Sequence, residues 1–438
     1  MRIVYLHQYF NTRTMPGITR SFEMARRLVA YGHEVHVVTS WRDPSSQRGW
    51  YTEEIEGIHV HWLPVVYSNK MGFLARIRAF LRFAVRSSFR AASIKADVVF
   101  ATSTPLTIAL PGIYSAWRLR VPLVFEVRDL WPEVPIALGI LRNPVLKWGA
   151  RWLERFTYRY SSRVVALGPG MKENIIEGGI DPRRVSIVPN GCDLDLFSTA
   201  ADVLLSADRI VLYAGAIGPA NGPDYLPRLA AAIRDRHPDA GIRIVVIGDG
   251  KELNNIKALS NRLGLTGAEI EFFGALSKEE IPAHIARCRM TIMTYTGPEI
   301  LYRDSVSNKF FDSLAAGRMV VANFAGFSTL IAKAVGAGEL LPSDDLDEAA
   351  DRVVRLMLDD ESLMRGGRQA LALARDVFNR DRLARMFEAV LLQAYNRIEP
   401  GVESPVGDEF RELWVKARAG ILDKTVHESC RAIADVVE

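Results

Sequence analysis

A chain of 438 residues is too long for one ordinary hydrophobic core, so two domains are expected. Half of it is apolar and a quarter charged, which excludes general disorder, and a net charge of +4 is small enough that its placement matters more than its size. Cys192, Cys288 and Cys430 lie far apart without metal-ligand spacing, which excludes a disulfide framework and a zinc site and fits a reducing cytoplasm.

The opening "MRIVYLHQYF" has too short an apolar run for a secretory signal and reads as a first strand. "PGITRSFEMARRLVAYGHEVHVVTS" reads as a glycine turn, a helix and a second strand. Between Glu56 and Asp97 there is no acid, and Arg78, Arg82, Arg86 and Arg90 recur every fourth residue, one stripe of a helix. Phe73, Leu74, Ile77, Phe80, Leu81 and Phe83 interleave with them, so a basic amphipathic helix suited to an anionic membrane or lipid carrier is expected. Nucleic acid would suit the charge too, but no nucleic-acid motif accompanies it.

Residues 98–117 carry no charge over a membrane-span length, yet Pro105 and Pro111 interrupt them, so a strand followed by a helix is expected instead. "EVRDLWPE" places Asp129 after another strand, with Glu126, Arg128 and Glu133 nearby, where the aspartate either serves a site or caps a helix. "LKWGARWLERFTYRYSSR" sets Lys147, Arg151, Arg155 and Arg159 beside Trp148 and Trp152.

Six strand-like runs in the first half and five in the second alternate with amphipathic helices. That is too many strands for one sheet, so two doubly wound domains are expected, joined near "PNGCDLDLFSTAADVL". The boundaries expected are 1–195, 196–378, a helix over 379–398 and an extension over 399–438. In the second half "YRDSVSNKFFDSLAAG" follows the strand "MTIMTY". A helix from Asn308 to Ala316 is expected, burying Phe310, Phe311 and Leu314. Asp304 and Asp312 then lie roughly 12 Å apart, the reach of a sugar, a diphosphate and a ribose. Ser305, Asn308 and Lys309, at the helix's positive end, suit phosphate between them, whereas a solvated surface helix is the plain reading of the same residues.

The chain resembles the family 4 glycosyltransferases of the GT-B fold, of the bacterial surface-polysaccharide type. "DSVSNKFFD" has the spacing of their E-x₇-E element, with aspartate at both ends. The first glycine loop, "EVRDLWPE", "SIVPNGCDLDLF", "VLYAGAIG", "VVIGDG" and "NKFFDSLAAGRMVV" follow in the family's order over roughly residues 1–395. The resemblance implies two Rossmann-like domains facing across a cleft, acceptor bound by the first and nucleotide-sugar donor by the second.

It also implies Gly17, Gly215 and Gly218 against the donor diphosphate, Gly248 and Gly250 near the base and ribose, Asp304 on the sugar and Asp312 on the ribose. Asp129, Asp304 and Lys309 are the catalytic candidates, and Arg303, Ser305 and Asn308 complete the donor site. The implied reaction is transfer with retention from a nucleotide diphosphate sugar, a UDP-linked N-acetylated or deoxy hexosamine, to a lipid-linked glycan at the inner face of the cell membrane. No catalytic metal is required; "DLD" at 193–195 looks like a metal motif but sits in a structural turn.

One departure stands out. Many relatives carry phosphate-directed basic or amide residues in the loop where this chain has Pro219 and Asn221. That leaves charge neutralisation to Arg303 and Lys309. It also keeps two alternatives open, a non-catalytic partner subunit and a nucleotide-sugar epimerase of the same architecture.

Overall fold

The computed structural model describes residues 1–68, 71–197, 206–304, 306–399 and 406–419. They form two compact units, the first built from 1–12, 18–189 and 381–410, the second from 13–17, 190–380 and the described residues after 410. Residues 13–17 therefore group with the second unit, although they lie far forward in the stretch expected as the first domain.

In the first unit β1 (Arg2–Leu6), β2 (Glu34–Trp41), β3 (Tyr51–Ile55), β4 (Ile58–Pro64), β5 (Val98–Thr102), β6 (Leu123–Val127), β7 (Arg163–Ala166) and β8 (Val185–Ile187) form one sheet in the order 3-4-2-1-5-6-7-8. All neighbours are parallel except β3 and β4. The β-branched runs of β1, β5, β6 and β7 are buried along nearly their whole length, as strands covered on both faces must be. The β3–β4 hairpin was not expected. Its strand "YTEEI" is too charged to read as buried, and the turn is made by Glu56 and Gly57, both at positive φ. Residues 98–117 form β5, a short 3₁₀ turn and the helix Ala109–Leu119. Among the described residues no helix is long and apolar enough to cross a membrane.

The charged residues of "EVRDLWPE" take different hydrogen-bond partners. Glu126 takes two hydrogen bonds from the fully buried Arg20, at 3.1 and 2.7 Å, and one from Thr102 at 2.6 Å. Arg20 also donates to the carbonyls of Pro189 (2.5 Å) and Val188 (2.9 Å). Arg128 instead meets His7 at 3.1 Å, and Glu133 pairs with Arg151. Breaking a buried pair strands a charge, so Arg20→Met is expected to destabilise the fold by about 3–5 kcal/mol. Urea unfolding followed by tryptophan fluorescence would measure it.

In the second unit β9 (Ile210–Ala214), β10 (Arg243–Ile247), β11 (Ile270–Phe273), β12 (Met290–Met293), β13 (Met319–Ala322) and β14 (Gly338–Leu340) lie in the order 11-10-9-12-13-14, every pairing parallel. Counted within the unit this is 3-2-1-4-5-6, the doubly wound order whose direction reverses between β9 and β12. The "DLD" aspartates are both engaged. Asp193 takes the buried Arg380 at 3.0 and 3.2 Å, and Asp195 takes Arg13 at 2.7 Å.

Candidate functional site

Ligands of open parallel sheets bind beyond the carboxyl ends of the strands, where the winding reverses. In the second unit that place is bounded by the loop after β9, residues 215–222, and by the helix Asn308–Ala315 that follows β12. Gly215 has a positive φ of 156°, and a side chain there would run into the Lys309 side chain. A side chain on Gly248 would strike the Gly215 carbonyl, and one on Gly250 the Ile217 carbonyl. These three glycines let two loops and a lysine share one small volume. Gly218 is different: its φ is ordinary and nothing crowds it, so its space is not what demands glycine. The loop is tied to the end of β12, since Thr294 donates to the Asn221 carbonyl (2.6 Å) and the Thr296 N–H to that of Ala220 (3.1 Å).

The helix spans Asn308–Ala315 with Phe310, Phe311 and Leu314 fully buried, as the sequence predicts. Lys309, in its first turn, donates to the Tyr213 hydroxyl at 2.6 Å and lies 4.2 Å over that ring. Among the described residues no carboxylate pairs with it, and desolvation lowers its pKa to about 7. Arg303, the other expected phosphate partner, spends hydrogen bonds at 3.2 and 2.9 Å on Asp304 Oδ2. Asp304 is 4% exposed and its Oδ1 has no hydrogen-bond partner; burial raises its pKa, opposed by Arg303. Ser305 lies outside the described residues.

Asp312 is not a free carboxylate. Its Oδ1 accepts from Lys278, a buried lysine 34 positions earlier that also lies over the Phe197 ring. Burial raises the Asp312 pKa and Lys278 opposes the rise. The Lys278 N–H donates to the Arg13 carbonyl, and Gly17, at φ 121°, belongs to the same short segment, which brings that expected donor glycine into this unit.

In the first unit the winding reverses between β1 and β5. There the side chains of His7 and Gln8, which directly follow β1, are buried with His7 Nδ1 and both polar atoms of the Gln8 amide unpartnered. Burial and the Arg128 charge hold the His7 pKa well below the usual range, so the imidazole is neutral. Asp129 is exposed, and the helix Glu133–Ala137 is capped at Pro132, so Asp129 is not its cap. Neither His7 nor Gln8 was singled out in the sequence, although both sit in "YLHQYF", directly after the first strand.

Residues 17–191 match the family model for a glycosyl transferase 4-like domain, and 208–359 that for glycosyl transferases group 1. The chain is a GT-B glycosyltransferase of family 4. It is 24% identical over 285 residues to WcaI of Escherichia coli (strain K12), named as a glycosyl transferase of colanic acid biosynthesis, over 60% of this chain and 68% of that one. It is 29% identical over 117 residues to the UDP-Gal:alpha-D-GlcNAc-diphosphoundecaprenol alpha-1,3-galactosyltransferase of Escherichia coli, over 24% of this chain and 30% of that one. Among solved structures Anabaena HepE in complex with UDP and glucose superposes with a TM-score of 0.66 at 17% identity, covering 90% of this chain and all of that one.

The basic helix of the glycosyltransferase spans Phe73–Ala92. Arg78, Arg82 and Arg86 are exposed as expected, but Arg90 folds onto the sheet, donating to Thr52 Oγ1 (3.2 Å) and meeting His61 Nδ1 (2.9 Å). Phe80 and Phe83 enter the core; Leu74 (79% exposed), Leu81, Val85 and Phe89 stay outside beside the arginines. The helix Ala109–Leu119 packs on this helix and Pro144–Tyr160 on Ala109–Leu119, and the two expose Trp117, Trp148 (70% exposed) and Trp152. Among the described residues the cluster with a cation-binding arrangement is Glu34, His36 and His59, on β2 and β4 of the first unit.

Proposed function

We propose that the second unit binds a nucleotide diphosphate sugar and that the enzyme transfers the sugar, with retention, to a lipid-linked glycan of a cell-surface polysaccharide. The observation that carries this reading is Lys309, in the first turn of a helix and packed against the glycine loop after β9, a cation with no carboxylate partner among the described residues. Lys309 and the helix N–H groups take the departing diphosphate, so that protein charge alone stabilises the leaving group. Asp304 Oδ1 accepts from a sugar hydroxyl and Asp312, held by Lys278, from the ribose. A UDP-linked N-acetylated or deoxy hexosamine is the proposed donor, and His7, Gln8 and Asp129 are the proposed acceptor contacts. UDP in the HepE structure and the diphosphoundecaprenol acceptor in the name of the Escherichia coli galactosyltransferase support these classes. Incubation with UDP-, GDP- and dTDP-sugars, followed by nucleotide release with and without lipid-linked acceptor, tests the reading. Release only with acceptor is expected, and conversion of the donor without acceptor would favour an epimerase.

The exposed face of Arg78, Arg82, Arg86, Leu74, Phe89, Trp148 and Trp152 is proposed to rest on the anionic inner surface of the cell membrane. Each arginine near such a surface contributes about 1 kcal/mol, so Arg78→Gln, Arg82→Gln and Arg86→Gln together are expected to weaken vesicle binding by roughly 10²-fold. Flotation with phosphatidylglycerol vesicles at two salt concentrations measures it, and the triple variant is expected to lose most of the salt dependence as well.

A further inference from the structure

The helix Glu409–Arg418 lies in the C-terminal extension, beyond both matched family domains, and its role was not legible in the sequence. Its inward residues Leu413, Trp414 and Ala417 are buried, while Arg411, Glu412, Val415 and Lys416 face solvent. Trp414 meets Phe327 edge-on, with ring centroids 5.8 Å apart. Phe327 opens the helix Phe327–Val335, is itself fully buried, and donates its N–H to the Arg303 carbonyl at 2.8 Å. Gly326, just before it, touches the same stretch so closely that a side chain would collide with the Tyr302 carbonyl. A contiguous path thus runs from Trp414 through Phe327 to the backbone that carries Asp304.

We infer that this C-terminal helix is a positioning element of the donor site, with Trp414 as a positioning residue that acts through Asp304. The inference rests on Asp304 as the sugar ligand proposed above. Trp414 fixes where the carboxylate sits, because the loop can shift only if the Phe327 anchor shifts with it, and a misplacement of about 1 Å at a reacting centre costs about 10²-fold.

The test uses the full chain and the variants Trp414→Ala and Trp414→Phe. Hydrogen exchange over residues 299–306 without nucleotide reads the mechanical link directly. Trp414→Ala is expected to speed it about fivefold or more, with Trp414→Phe close to wild type. In turnover, Trp414→Ala is expected to lower kcat about tenfold or more while the Kd for UDP alone stays within about threefold. Unchanged exchange or unchanged kcat in Trp414→Ala, with normal UDP binding, overturns this inference alone. A wild-type protein that binds no nucleotide overturns the donor reading, and with it the catalytic role of Asp304 and of the residues that support it.

Discussion

Replacing Lys309 by Met is expected to lower kcat/KM for sugar transfer by about 10²–10³-fold, the usual loss when one preorganised donor to a developing negative charge is removed. The effect is large because little else nearby can replace it. Pro219 and Asn221 supply no charge, and Arg303 is turned onto Asp304. The fold is expected to survive, since the methionine keeps the stem of the side chain and removes a desolvated ammonium that no carboxylate compensates. The pH dependence follows from the lowered pKa. With a pKa of about 7 in the donor-free protein, the ammonium is lost as pH rises through 7. The donor diphosphate binds the protonated form, so donor affinity is expected to fall above pH 7 in the wild type and to be flat there in Lys309→Met. Titrations with nucleotide at pH 6, 7 and 8, on the order of one unit either side of the pKa, separate the two curves.

The two aspartates are expected to fail in different ways. In Asp304→Asn the carboxylate offered through Oδ1 becomes a neutral amide, and a charge-assisted hydrogen bond that strengthens as the sugar ring gains positive charge is lost. A kcat reduced by about 10–10²-fold with little change in donor KM is expected, from the 1.5–3 kcal/mol of such a bond. The stability cost is small because Arg303 is partly exposed and can turn to solvent. Asp312→Asn removes the partner of the buried Lys278, so it is expected to raise donor KM and also to destabilise the fold by about 3–5 kcal/mol. A Lys278→Met, Asp312→Asn double variant is expected to recover part of the stability and none of the donor affinity. Thermal unfolding and steady-state kinetics on the same preparations check both halves.

Most of the parallel strands were legible because each is a short apolar run, and the helix Asn308–Ala315 because Phe310, Phe311 and Leu314 repeat at helical spacing; β14, "GEL", is too short and too polar to be expected. What escaped depends on contacts between residues far apart in the chain. The Lys278–Asp312 pair joins a loop to the helix Asn308–Ala315, and nothing in "ALSKEEI" marks its lysine as buried. Arg90 has the spacing of Arg78, Arg82 and Arg86, but at the far end of its helix Thr52 and His61 are within reach, and it leaves the exposed stripe. His7 and Gln8 gain meaning only when strand order shows that β1 borders the reversal point. The β3–β4 hairpin was lost because an antiparallel edge strand tolerates charge on its open face, which erases the apolar run on which the other strands were recognised.

The most direct test of a donor site centred on Lys309 is the thermal-unfolding midpoint of wild type and Lys309→Met, titrated with UDP, GDP and dTDP. A ligand that binds only the folded state must raise that midpoint. One nucleotide diphosphate is expected to raise it in the wild type, with most of the rise lost in Lys309→Met. No rise with any of the three, or equal rises in both proteins, would contradict the site.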